Sequence, residues 1–84
     1  MMEGKRIYLQ DDDLLPIFKE PGAYGQDKDG HWHCCTPNGL AGNLSNHTVV
    51  EHPDGTITVS PSILVWNNTE RWHGFLENGV WREC

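Results

Sequence analysis

An all-β fold, a small loop-rich antiparallel sheet of hairpins held by a zinc staple, is what this sequence predicts, and three observations carry it. Ala is scarce while Gly (9) and Pro (5) are frequent among the 84 residues, which favours short strands and turns over a helical bundle. Asn78-Gly79 stands between two aromatic-rich runs, the strongest short signal for a two-residue hairpin, because a type I′ turn needs positive φ at both central residues. Pro53-Asp54-Gly55 separates a second pair of β-prone runs, with Pro suited to a type I turn and Gly to the bulge position.

The register of the last hairpin follows by counting outward from its turn. Glu77 faces Val80, Leu76 faces Trp81, Phe75 faces Arg82, Gly74 faces Glu83, and His73 lies across from Cys84 on the same face. Directly opposed residues place their Cβ atoms about 5 Å apart, a separation that suits an imidazole and a thiolate sharing one ion. Trp72 and Trp81 occupy the other face with Leu76, as core.

Towards the N-terminus, Ile7-Tyr8-Leu9 reads as a short β-prone run. Asp11-Asp12-Asp13 then reads as the anionic cap of one helical turn over Leu14–Phe18, where Pro16 is tolerated in the first turn. Residues 20–30 are turn-formers throughout and predict a mobile loop. His31–Cys35 alternates as a strand, with Trp32 and Cys34 on one face and His31, His33 and Cys35 on the other. Cys35-Thr36-Pro37-Asn38-Gly39 has the outline of a zinc-knuckle turn in which Asn38 takes the place of the second Cys. Residues 38–45 read as a Gly/Asn-rich loop. His47–His52 pairs with Thr56–Ser60, with the register open as to which of Val49 and Val50 faces the core. Pro61–Trp66 reads as a further buried strand entered through Pro61. One domain is expected: residues 1–30 supply strand, helical turn and loop, and residues 31–84 the hairpin module that carries the metal site.

Charge excludes one class of function. Six Lys and Arg against twelve Asp and Glu give a net charge of −6, and the six cations are scattered, so a phosphate-backbone reader is not expected. A protein partner with a basic surface fits better. Neither an apolar leader nor a membrane span is visible, and three cysteines, two of them adjacent, make a disulfide framework a poor reading. Cytoplasmic residence with reduced thiols is the expectation.

Ser60-Pro61-Ser62-Ile63, Trp72-His73-Gly74-Phe75-Leu76, Gly79 and Glu83-Cys84, preceded by a Cys-turn-Gly, together resemble a small domain family common in bacteriophage genomes, of uncharacterised function. Its members are sometimes labelled ammonia monooxygenase, a label that a chain of this length without a membrane span does not support. The resemblance covers residues 31–84. It implies metal ligands at His73 and Cys84, less directly at His47, and at one of Cys34 and Cys35.

Cys35, His47, His73 and Cys84 would supply two thiolates and two imidazoles, the donor set of a closed structural zinc site, and zinc would help stabilise so small a core. His33 or His52 can take the place of His47. A closed site leaves no position for water, and no H-E-x-x-H or nucleophile-elbow pattern occurs, so catalysis is not expected. Trp66, just before an Asn-rich loop, is the tryptophan expected to be exposed, as a platform for a sugar or a peptide. The function these readings imply is a non-catalytic, zinc-binding, protein-interaction module of phage type, such as an accessory inhibitor of a host or defence protein acting in the infected cell. A minor virion or decoration protein is the alternative, and a metal-dependent hydrolase the third.

Overall fold

The computed structural model describes residues 1–84 and is all-β, with one short helix. The strands are β1 (Met2–Glu3), β2 (Lys5–Arg6), β3 (Ala23–Gln26), β4 (Trp32–Cys35), β5 (Ala41–Asn43), β6 (Thr48–Glu51), β7 (Ile57–Trp66), β8 (Arg71–Glu77) and β9 (Val80–Glu83), and the helix α1 is Leu15–Phe18. They form a five-stranded sheet in the order β1-β9-β8-β7-β6 and a four-stranded sheet in the order β2-β3-β4-β5. All pairings are antiparallel except β2 with β3.

The terminal hairpin has the register its turn dictates. Glu77 pairs with Val80, Leu76 with Trp81, Phe75 with Arg82 and Gly74 with Glu83, and Asn78 (φ 50°) and Gly79 (φ 77°) take the positive angles of the turn. The Cys84 N–H donates to the His73 carbonyl at 3.0 Å, which continues the ladder by one residue.

Two stretches that read as loops are strands. Ala23–Gln26 is not a mobile loop but β3, buried at Ala23, Tyr24 and Gly25 and paired on both sides. Its Gly and Pro neighbours hide it in the sequence, while its position between two other strands supplies the hydrogen bonds that override weak local propensity. Ala41–Asn43, within the predicted Gly/Asn loop, is the edge strand β5. The predicted strands Thr56–Ser60 and Pro61–Trp66 are one ten-residue strand, β7, whose pairing with β8 shifts register between Val59 and Ile63. The open register of the middle hairpin is settled by Val49 pairing with Val59, which turns Val49 toward the core and leaves Val50 exposed.

The capping of the helical turn is also displaced. Leu14 is its N-cap, and Asp13 Oδ1 accepts from the Leu15 N–H at 2.9 Å. The turn lies against β3 and β4 and buries Ile17.

The sheets face one another across a core of Tyr24, Cys34, Leu40 and Leu44 from one side and Ile57, Val59, Ile63, Trp72, Leu76 and Trp81 from the other. Trp72 and Trp81 meet edge to face at 5.2 Å. Strands from the first thirty residues sit in both sheets, so that segment is built into the same core.

Candidate functional site

The four predicted metal ligands do not assemble into a cage. Cys35 is fully buried on the side of β4 that faces the helix, and its thiol donates to the Phe18 carbonyl at 3.4 Å. The knuckle-like turn after it is held by its own side chains: the Thr36 hydroxyl donates to Asn38 Oδ1 at 2.6 Å and accepts from the Leu40 N–H at 2.9 Å. His47 and His73 do approach a common residue. The His47 Nε2–H donates to the Ser62 carbonyl at 3.1 Å, and His73 Nε2 lies 3.1 Å from Ser62 Oγ. Cys84 is exposed at the end of β9, across the ladder from His73. The geometry therefore joins His73 to His47 through Ser62 and to Cys84 through the hairpin, while Cys35 belongs to the other sheet. Cys34, the alternative thiolate, is in the core. Of the alternative imidazoles, His33 bonds to Asp27 at 2.8 Å and His52 to the Thr58 hydroxyl at 2.7 Å.

Burial pushes the Cys34 thiol up to about 12, with the neighbouring Cys35 adding to the shift. The Cys35 thiol is raised too, mainly by burial.

A second cluster lies in the turn after β3, where Asp27-Lys28-Asp29-Gly30 has the outline of the start of a calcium loop without its remaining ligands. Ligand atoms of Asp27, Asp29 and His31 come within 4.8 Å of one another. Asp27 is already engaged. Its carboxylate accepts from His33 Nε2 at 2.8 Å and from the N–H groups of Asp29 (2.9 Å) and His31 (3.0 Å). These bonds, that from His33 first, hold it down at about 2. The cluster is thus explained as the knot that closes the β3–β4 connection.

The open site lies at the far end of the β7–β8 hairpin, where sequence reasoning placed only Trp66. Trp66 is 69 % exposed and Leu64, two residues earlier on the same face, 46 %. Trp66 pairs across the ladder with Arg71, and the loop between them is tied down by Asn67. The Asn67 N–H donates to the Glu70 carbonyl at 2.9 Å. Asn67 Oδ1 accepts from the N–H groups of Thr69 (2.9 Å) and Glu70 (2.8 Å) and from the Thr69 hydroxyl (3.2 Å). Together Leu64, Trp66, Asn67, Thr69, Glu70 and Arg71 line a groove of about 370 Å³. Glu70 and Arg71 take part in none of the ion pairs of the chain. Arg71 does not stack on Trp66, in contrast to Arg82, which lies 4.8 Å over the Phe75 ring.

No family model matches the chain, and neither the curated proteins nor the solved structures contain a match. No helix is long and apolar enough to cross a membrane.

Proposed function

We propose that this chain is a small non-catalytic recognition module that engages a partner protein through the groove at Trp66. The observation that carries the reading is the exposed Trp66 itself. An indole left in water at the end of the longest strand, beside a half-exposed Leu64, is costly to solvate and is the residue type that most often anchors a binding interface. The loop beneath it is held by four hydrogen bonds from Asn67, so little ordering remains to oppose binding.

Two features favour binding over catalysis. The hydroxyl of Ser62 and the imidazole of His73 are within hydrogen-bonding distance, but no carboxylate is bonded to His73 to orient it as a general base. The groove itself holds no thiol or imidazole, and its one hydroxyl, that of Thr69, donates to Asn67 Oδ1 rather than to a base. The net charge of −6 favours a protein partner over a nucleic acid, and the resemblance to a phage family suggests an accessory role against a host or defence protein.

Capture with a photo-crosslinking residue at position 64, which lines the groove and leaves Trp66 in place, followed by identification of the linked protein, tests the proposal. One partner should be linked from position 64 and not from position 50, at the other end of the same sheet face, and adding Trp66→Ala to the chain labelled at position 64 should abolish its capture. Capture that survives Trp66→Ala at full yield would refute the assignment of the groove.

A further inference from the structure

The chemistry lining the groove selects among occupants. Trp66 offers a free ring face, and its indole N–H makes no bond within the chain, in contrast to that of Trp81, which donates to the Gly22 carbonyl. Beside it stand one anion, Glu70, and one cation, Arg71, both without ionic partners. Asn67 has its carbonyl oxygen fully used by the loop, which turns its amide N–H groups outward as donors.

A cationic segment seated on Trp66 would meet Arg71 as a like charge, and an anionic one would meet Glu70. A purely apolar side chain would strip water from both ions and return nothing to either. A neutral polyol satisfies every group at once. A pyranose ring presents a face of C–H bonds to the indole, while its equatorial hydroxyls, each donor and acceptor, can donate to Glu70 and accept from Arg71 and Asn67. The groove volume of about 370 Å³ sits at the small end of ligand sites, roughly 300 to 1,000 Å³, and suits a ring or two rather than a folded element.

We propose that the groove formed by Trp66, Asn67, Glu70 and Arg71 is a carbohydrate subsite that seats a neutral pyranose unit, carried on the partner as a glycan. This rests on the reading of Trp66 as the recognition residue and gives that site its ligand class. A preorganised loop and a rigid aromatic plate match the requirements of such a ligand, whose affinity per contact is low and tolerates little ordering cost.

The test uses the full chain, labelled with ¹⁵N, and a panel of neutral gluco-, galacto-, manno- and N-acetylglucosamine oligosaccharides. Its indole N–H resonances separate Trp66 from the other three tryptophans. At least one member of the panel should shift the Trp66 resonance saturably and leave that of the buried Trp81 in place. Trp66→Ala should weaken binding at least about tenfold, and Glu70→Gln and Arg71→Gln each several-fold. Affinity should be unchanged by added salt, since the ligand carries no charge. A glycoprotein bearing the preferred sugar should bind before enzymatic deglycosylation and not after, which separates a protein-borne glycan from recognition of free saccharide alone. No shift at Trp66 with any saccharide at about tens of millimolar, or an affinity that falls steeply with salt as a doubly charged peptide would produce, overturns the carbohydrate assignment. If capture from position 64 persists with a partner that carries no glycan, the recognition module stands and only its ligand class is wrong.

Discussion

The three cysteines differ in what surrounds their sulfur atoms, and this decides their chemistry. Cys34 and Cys35 have no exposed surface, and burial raises both, Cys34 to about 12. Cys84 is exposed at the end of the chain. A thiol reagent should therefore modify one thiol per native chain quickly, the exposed Cys84, and all three only after unfolding. Cys84→Ser should remove the fast phase. A chelator should leave the rate unchanged, whereas a zinc ion held by Cys84 would protect it until stripped. The four predicted ligands do not converge because Cys35 sits under the helix against Phe18, an arrangement set by how α1 packs on β4. No spacing along the chain records that packing. His73 and Cys84, by contrast, were legible as neighbours because a two-residue turn fixes their separation by counting. Trp66 was legible as an apolar residue abutting a polar loop. Glu70 and Arg71 were not, because adjacent opposite charges in a loop look the same in sequence whether they pair with each other, with water or with a ligand.

Among the elements, the terminal hairpin is the most completely specified. Asn78 and Gly79 hold φ of 50° and 77°, and a Cβ on Gly79 would lie 2.8 Å from Tyr24 Oη and 2.9 Å from Thr56 Cγ2. The left-handed conformation alone costs an ordinary residue about 1–2 kcal/mol, and the contacts add to it. Gly79→Val should therefore lower stability by about 2 kcal/mol or more, measured by denaturant titration. Asn78→Gly should be close to neutral, and a neutral Gly79→Val would mean that the turn is elsewhere. β3 and β5 show the opposite case. Ala23-Tyr24-Gly25-Gln26 and Ala41-Gly42-Asn43 have little intrinsic preference for strand, and they are strands because β4 lies between them and supplies partners to both. Gly74 has the same dependence on its surroundings. A Cβ there would collide with the Arg82 carbonyl and would lie 2.5 Å from the Trp72 ring, so its small size is required by the packing of the tryptophan pair.

The molecule as a whole depends on joining two small sheets, because a chain of 84 residues buries only about 60–65 per cent of its unfolded surface. The joints are few and can be named. The chain crosses between sheets at Gly4, whose N–H donates to the Gly79 carbonyl at 2.7 Å. Arg6 donates to Glu51 and to the Gly55 carbonyl, both at 2.8 Å, and lies between the rings of Tyr8 and Trp32. Trp81 reaches from β9 in the larger sheet to donate its indole N–H to the Gly22 carbonyl at 2.8 Å, just ahead of β3 in the smaller one. That bond is buried, so Trp81→Phe would take from the Gly22 carbonyl one of its two donors, leaving the Lys5 N–H at 3.1 Å. The loss of one such hydrogen bond costs about 0.5–1.5 kcal/mol, added to the cavity left by the smaller ring. Trp66→Ala, on an open surface, should change stability by only about 0.5 kcal/mol. If the indole bond couples the sheets, Trp81→Phe should lower hydrogen-exchange protection equally at β3 and β8 amides while melting remains a single transition. Loss of protection confined to β8 and β9 would show instead that the two sheets hold together without it.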